Sequence, residues 1–172
     1  MVQEWYIKYK AFIVILLIVY ATPLQVNSQN NDTMYICMEK YEGIIWGKDY
    51  PFDYENCKDF RWNPNKEDIE QAELLVQTFI IQQVKKKNLV NQVEGRLIIH
   101  LNMDKYLRQY MGTINSKGEK ILEINCFWKE KVNEFPYWKT HVVRVCDGGS
   151  FYWSIKVNMS KKKCFDYMIN GN

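Results

Sequence analysis

The chain has 172 residues, 15% of them aromatic, with 23 basic and 20 acidic side chains and a formal net charge of +3 at pH 7. A balance so close to neutral gives no reason to expect nucleic acid as a partner, which would call for a concentrated excess of Lys and Arg. The length fits one domain with a proper core.

The first segment reads as a targeting sequence. Lys8 and Lys10 precede an apolar run from Ala11 to Ala21. That run matches a secretory h-region of roughly 7–15 residues and falls well short of the roughly 20 that a membrane span needs. Val26 and Ser28 suit positions −3 and −1 of a cleavage site, so residues 1–28 are expected to be a signal peptide and Gln29 the mature start. An uncleaved anchor is the alternative. No cysteine directly follows the run, which argues against a lipid-modified N-terminus. Without Lys8, Lys10 and Glu4 the net charge becomes +2. The expected location is outside the cytoplasm, secreted or periplasmic, with no stable membrane span after signal removal.

Residues 29–62 are aromatic-rich and punctuated by Gly43, Gly47 and Pro51. Short extended pieces fit 34–38 and 43–46, but the segment is expected to be an irregular arm lying over a single domain formed by residues 63–172. Cys37 and Cys57 are the only cysteines outside the strand-rich half. A bridge between them would close an ordinary loop of about 20 residues.

The spacing predicts one amphipathic helix within 63–88. Asn63 or Asn65 can cap it, and Pro64 is tolerated at a first helical position. Glu67, Asp68 and Glu70 suit the positive end of the helix dipole, and Lys85, Lys86 and Lys87 the negative end. Ile69, Ala72, Val76, Phe79 or Ile80, and Val84 recur at helical spacing, with Leu75 widening the stripe. Such a stripe is core.

After residue 94 the period changes from 3.6 to 2. "GRLIIHLNM" can begin a strand, and "KYLRQYMGTIN" and "EKILEINCFWK" flank a turn at Asn115–Gly118. Leu122, Ile124, Cys126 and Trp128 share one face, with Glu123 and Asn125 on the other. "THVVRVC" and "SFYWSIKVN" flank Asp147-Gly148-Gly149-Ser150, where Gly148 and Gly149 suit the φ > 0 positions of a type I′ hairpin. In "KCFDYMIN", Phe165, Tyr167 and Ile169 fall on one side. The fold class is therefore α+β: one long helix packed on a curved antiparallel sheet of four to five strands.

Chemistry is harder to place. No two cysteines are spaced C-x-x-C, and five of them leave at least one unpaired within the chain. Cys126 and Cys146 could oppose each other across a hairpin centred near Pro136; the alternative is Cys126 as a small buried core residue. Cys146 and Cys164 would sit on strands separated by a third, too far apart for a bridge. His141 lies five residues before Cys146, about 17 Å along an extended chain, and so is no base for that thiol. His100 and His141 are the only histidines, and no H-E-x-x-H or EF-hand pattern is present; no metal, cofactor or catalytic residue is singled out. Asn31-Asp32-Thr33 and Asn158-Met159-Ser160 match the glycosylation acceptor pattern. The unusual feature is aromatic content. Tyr106, Tyr110, Trp138 and Tyr152 fall on strands or loop edges and are the candidate binding aromatics for a protein, peptide or glycan partner.

Residues 106–128 and 142–171 resemble a group of small exported bacterial proteins of unknown function. The likeness rests on a Q-Y-x-G strand (Gln109–Gly112), the Gly118-Glu119-Lys120 turn, "INCFW", a D-G-G-x-x-Y hairpin (Asp147–Tyr152) and the terminal "ING". It covers roughly residues 64–171 and implies an exported, lipid-free globular protein, with no catalytic residue to carry over. The order of one helix and then a curved sheet is also similar to the cystatin fold, which implies protease inhibition as a rival. Cystatins use a Q-x-V-x-G hairpin; Gln92-Val93-Glu94-Gly95 is one residue short of it, and Pro136-Tyr137-Trp138 resembles their later loop only loosely. The sequence thus favours a non-catalytic binding or interaction module, with an enzyme of unrecognised type as the alternative.

Overall fold

The structure is a computed structural model that describes residues 33–51, 60–85 and 98–170. The expected signal peptide, Cys57 and the Gln92–Gly95 run lie outside the described residues.

Among the described residues one long helix, α1, runs Lys66–Lys85. Asn65 caps it: its Oδ1 accepts the Asp68 N–H at 2.8 Å, while Asp68 Oδ2 accepts the Asn65 N–H at 2.9 Å. This reciprocal pair satisfies two donors at the helix start, and Pro64 sits just outside the helix. Ile69, Ala72, Val76 and Ile80 form the buried stripe, and Glu73 is buried among them.

Seven strands form one sheet: β1 (Thr33–Cys37), β2 (Glu42–Trp46), the two-residue β3 (Phe60–Arg61), β4 (Tyr106–Ile114), β5 (Lys120–Trp128), β6 (Gly149–Asn158) and β7 (Lys163–Asn170). Their order is β1-β2-β4-β5-β6-β7, with β3 pairing the end of β4. The class is α+β and the sheet is mostly antiparallel, but the expectation of four to five strands is corrected to six along the main path. The arm is not irregular either. β1 and β2 make a hairpin within it, and β2 pairs parallel with β4, Ile44 opposite Gln109. Its extended pieces were readable; that they fill the free edge of β4 was not, because that pairing spans some 60 residues.

Among the described residues two expected strands are absent. Residues 98–105 form 3-10 turns, Ile99–Leu101 and Met103–Lys105. Asn102 Nδ2 donates to the Ile98 carbonyl at 2.9 Å, a local bond that competes with a ladder. Residues 140–148 carry no strand, and the expected Cys146–Phe151 hairpin does not form. Both edges of β6 are already taken, by β5 and by β7. Gly148 and Gly149 do have positive φ, 132° and 57°, but they turn a loop into β6. The turn Asn115–Gly118 forms as read, with Gly118 at φ 75° and its N–H donating to the Asn115 carbonyl at 2.9 Å.

Alternation sorts the side chains onto two faces. On the helix side, Tyr106 and Tyr110 of β4, Leu122, Ile124, Cys126 and Trp128 of β5, and Trp153, Ile155 and Val157 of β6 cluster with the α1 stripe. On the opposite side, Leu107, Phe127 and Tyr152 cluster with Ile44, Trp46, Trp138 and Val143. In β7 the shared face of Phe165, Tyr167 and Ile169 is broken. Asp166 has φ 47° and the register with β6 shifts beside it. Cys164, Tyr167 and Ile169 join the helix-side cluster as core or flanking members, while Phe165 does not.

Candidate functional site

A cleft of about 480 Å³ lies on the helix side of the sheet. One wall is α1, through Glu70, Glu73, Leu74 and Gln77. The other walls are the β1–β2 turn (Glu39, Lys40, Tyr41) and the 3-10 turns, through His100, Leu101 and Asp104. Arg108 of β4 closes the floor. The local sequence explains this placement. Glu73 lies four residues after Ile69 and three before Val76, inside the apolar stripe of α1. Arg108 lies between Tyr106 and Tyr110 on the helix-facing side of β4.

Those two positions meet as an ion pair. Arg108 Nε donates to Glu73 Oε1 at 2.7 Å, and the Tyr110 hydroxyl donates to the same oxygen at 2.7 Å. Arg108 Nη1 donates to the Tyr106 carbonyl at 2.6 Å and Nη2 to the Met103 carbonyl at 2.9 Å. The guanidinium also lies 5.5 Å from the centre of the Tyr41 ring. The pair is buried, with Arg108 1% and Glu73 7% exposed. Burial alone lowers the Arg108 pKa, but the neighbouring Glu73 charge outweighs it and leaves the pKa raised, so the cation is permanent. Burial and then the Glu73 charge push the Tyr110 hydroxyl well above its ordinary range, so it remains a donor.

The rest of the lining mixes charge, ring and aliphatic surface. Glu73 Oε2 has no hydrogen-bond partner among the described residues. His100 Nδ1 is buried and likewise has none. At the mouth Leu74 and Leu101 are 64% and 66% exposed. Among the described residues no group of three His, Cys, Asp or Glu is placed to hold a metal ion.

The residues singled out by sequence lie elsewhere or serve the core. Tyr106, Tyr110, Trp138 and Tyr152 are all buried. The expectation that some of these aromatics face solvent is corrected: alternation turns Tyr106, Tyr110 and Tyr152 into the two cores, and the turn at 136–140 carries Trp138 into the opposite-face one. Tyr106 donates to the Ser150 carbonyl at 2.7 Å. Of the four, Tyr110 meets the site through its hydroxyl, a donor beneath the cleft floor, and Tyr106 through its backbone carbonyl, which accepts from Arg108.

No disulfide joins the described cysteines. Cys37 and Cys146 are exposed and free, and Cys126 and Cys164 are buried and free. Cys126 and Cys146 cannot meet as expected. Cys126 points into the helix-side core from β5, whose neighbours are β4 and β6, so no hairpin through Pro136 brings Cys146 beside it. Burial pushes the Cys126 thiol far up and the Cys164 thiol to about 11, so both stay protonated and unreactive near neutral pH. His141 contacts Thr140 Oγ1 at 3.0 Å and the Tyr137 ring, not Cys146. Asn158 is buried, with Nδ2 donating to Glu119 at 2.8 Å and Oδ1 accepting from the Lys161 N–H at 2.8 Å. Its amide is therefore closed to glycosylation, whereas Asn31 lies outside the described residues.

A second, smaller hollow of about 180 Å³ lies on the opposite face, lined in part by Gln109, Asn125 and Val143. Its amides are committed to holding residues 138–145, which makes it structural. Gln109 Nε2 donates to the carbonyls of Trp138 and His141, at 2.7 and 2.8 Å. Gln109 Oε1 accepts from the Val143 N–H at 2.9 Å.

Sequence reasoning missed Glu73 and Arg108. The signal was there: an acid inside an apolar helical stripe and a base inside an apolar strand face are each costly to bury alone, and together they predict a pair. Tyr41 and Asp104 carry no comparable signal, because turn residues acquire neighbours only through the tertiary fold. No family model, curated protein or solved structure matches this chain significantly.

Proposed function

We propose that the chain is an exported, non-catalytic binding module whose ligand enters the cleft between α1, the β1–β2 turn and residues 99–105. The observation that carries this reading is the cleft itself: a concave space walled by three separate segments over a floor whose charges are already compensated. A floor with Arg108 committed to three hydrogen bonds is rigid, and rigidity favours recognition. Export rests on Lys8, Lys10 and the apolar run before residue 22, and on the likeness of residues 106–128 and 142–171 to small exported bacterial proteins. Among the described residues no helix is long and apolar enough to cross a membrane.

An enzyme is the second reading, and His100 is the observation that favours it. Its buried, unpartnered Nδ1 lies in the same cleft as Asp104 and Glu73. The inhibitor reading, and the cystatin-like wrap of sheet on helix that goes with it, carries less weight. Trp138, the aromatic of its later loop, is buried and held through its carbonyl by Gln109.

The test is recovery of the native ligand. The protein is isolated from its own producing culture, and the bound molecule is released and identified by mass spectrometry. A stoichiometric ligand, recovered chemically unchanged after re-incubation and lost in a Leu74→Asp/Leu101→Asp variant, supports the binding reading. Conversion of that ligand by the wild type but not by His100→Ala replaces it with the enzyme.

A further inference from the structure

We propose that the cleft selects a basic side chain, the ammonium or guanidinium head of a lysine or arginine presented by a peptide or protein. This rests on the reading of the cleft as the ligand site.

The charges inside the cleft do not cancel. Four carboxylates line it, Glu39, Glu70, Glu73 and Asp104, against the two cations Lys40 and Arg108. Arg108 is committed to Glu73 and to two backbone carbonyls, and buried at the floor. It neutralises Glu73 without presenting a free cation to a ligand. Glu70 has only Lys66 at 3.8 Å, in an exposed pair that water screens. Glu39 and Asp104 have no ion-pair partner among the described residues. Net negative charge therefore remains for an incoming ligand, and a concave, partly apolar site concentrates that field.

A second, independent set of observations points the same way. Glu73 Oε1 accepts from Arg108 and Tyr110, whereas Oε2 accepts from no described donor and stays open to solvent. His100 Nδ1 is buried and unmatched as well. In the neutral imidazole that nitrogen can be the acceptor. In that tautomer the nitrogen and the open Glu73 oxygen can both take a donor, and an ammonium or guanidinium carries three or five N–H donors with no acceptor. The mouth supplies the remaining requirement. Leu74 and Leu101 expose most of their surface beside the carboxylates. A lysine or arginine combines an aliphatic stem with a charged head and lays the stem along such surface. A phosphate or carboxylate ligand would meet the excess of acids.

The experiment is an NMR titration of the 15N-labelled full chain. The probes are Nα-acetyl-lysine methylamide, Nα-acetyl-arginine methylamide, and the matching blocked norleucine and glutamate. The two basic probes are expected to shift the amides of Leu74, Gln77, Leu101 and Asp104 and to bind at least tenfold more tightly than norleucine, with glutamate weaker still. Raising the salt from 20 to 500 mM is expected to weaken the basic probes several-fold and leave norleucine unchanged. The exposed double variant Glu39→Gln/Asp104→Asn is expected to lose about tenfold in affinity for the basic probes while keeping the wild-type spectrum elsewhere. Norleucine or glutamate binding the cleft as tightly as lysine overturns the basic side chain and leaves the cleft reading standing. Cleft amides that stay unmoved by all four probes overturn both.

Discussion

On one face of the sheet α1 supplies Ile69, Ala72, Val76 and Ile80, and its backbone satisfies itself. On the other, residues 129–148 supply Val132, Phe135, Trp138 and Val143 with only a 3-10 stretch, Lys129–Glu134, for regular structure. That second cover cannot meet its own hydrogen-bonding needs, so side chains from the sheet meet them. Gln109 bonds three backbone groups of the cover, and Asn125 Nδ2 adds the Val143 carbonyl at 2.8 Å. The polar residues buried on each face differ accordingly. Under the helix there is a charge pair, and under the irregular cover there are amides. An amide donates and accepts at once, as a stretch of bare backbone requires. A helix presents no bare backbone along its length, so a polar group buried beneath it finds its partners in side chains or in backbone outside the helix.

The widest separation between the faces comes from breaking the charge pair. Glu73→Gln leaves Arg108 buried without its counter-charge and is expected to lower stability by about 3–5 kcal/mol. Glu73→Leu combined with Arg108→Met is expected to regain most of that loss, because two apolar residues need no partner. Urea unfolding of the three proteins checks this; equal losses in the single and the double variant would refute it. On the opposite face Gln109→Ala leaves backbone groups of the cover unmatched, and is expected to cost about 1–3 kcal/mol. Its signature is local. Hydrogen exchange at the Val143 amide accelerates while the α1 amides keep their protection, and uniform acceleration would contradict the division of roles.

A smaller effect tests where the irregular cover ends. Gly148 has φ 132°, and a Cβ added there would lie 2.4 Å from the Tyr152 ring. Gly148→Ala is expected to cost about 1–3 kcal/mol through backbone strain, with the near-UV circular dichroism of the opposite-face aromatics changed. An unaltered melting temperature would show that the loop gives way freely. The smallest effect belongs to neither face. At the end of the sheet, Glu119 is bonded by Lys161, then by Asn115 and Asn158, and its carboxyl is held down at about 2 against an ordinary 4.5. A depressed carboxyl stabilises the fold above the ordinary value and loses that contribution as pH falls through the lowered one. The melting-temperature gap between wild type and Glu119→Gln is therefore expected to be constant above pH 4.5 and to close between pH 4.5 and about 2. A gap that widens on acidification would reverse the sign.

The elements most legible in the sequence are those whose partners are near in the chain or whose pattern is unambiguous. α1, the strands β4 to β7, the alternating faces of β5 and β6, and the Asn115–Gly118 turn all follow from periodicity and turn chemistry. "THVVRVC" failed for a different reason. It alternates as a strand should, but β5 and β7 already occupy both edges of β6, and no local feature announces a competitor for an edge. The bulge at Asp166 is similar. It swaps the side of Phe165 relative to Tyr167 through one left-handed residue that no glycine marks. The site was legible only in halves. Glu73 and Arg108 each stand out as a charge on an apolar face, whereas Tyr41, His100 and Asp104 acquire meaning only when three segments meet.

By itself, the sequence determined the class of the fold, the N-cap and stripe of the helix, and the inward faces of β5 and β6, because those depend on period and on side chains within a few residues. Only the tertiary structure decided the rest. It placed β1 and β2 on the free edge of β4, denied "THVVRVC" its ladder and buried the four aromatics. It also set Glu73 against Arg108 under a cleft. Each of these depends on which distant segments compete for the same edge or the same face. Loop closure and burial across the whole chain settle that competition, and local pattern carries no record of it.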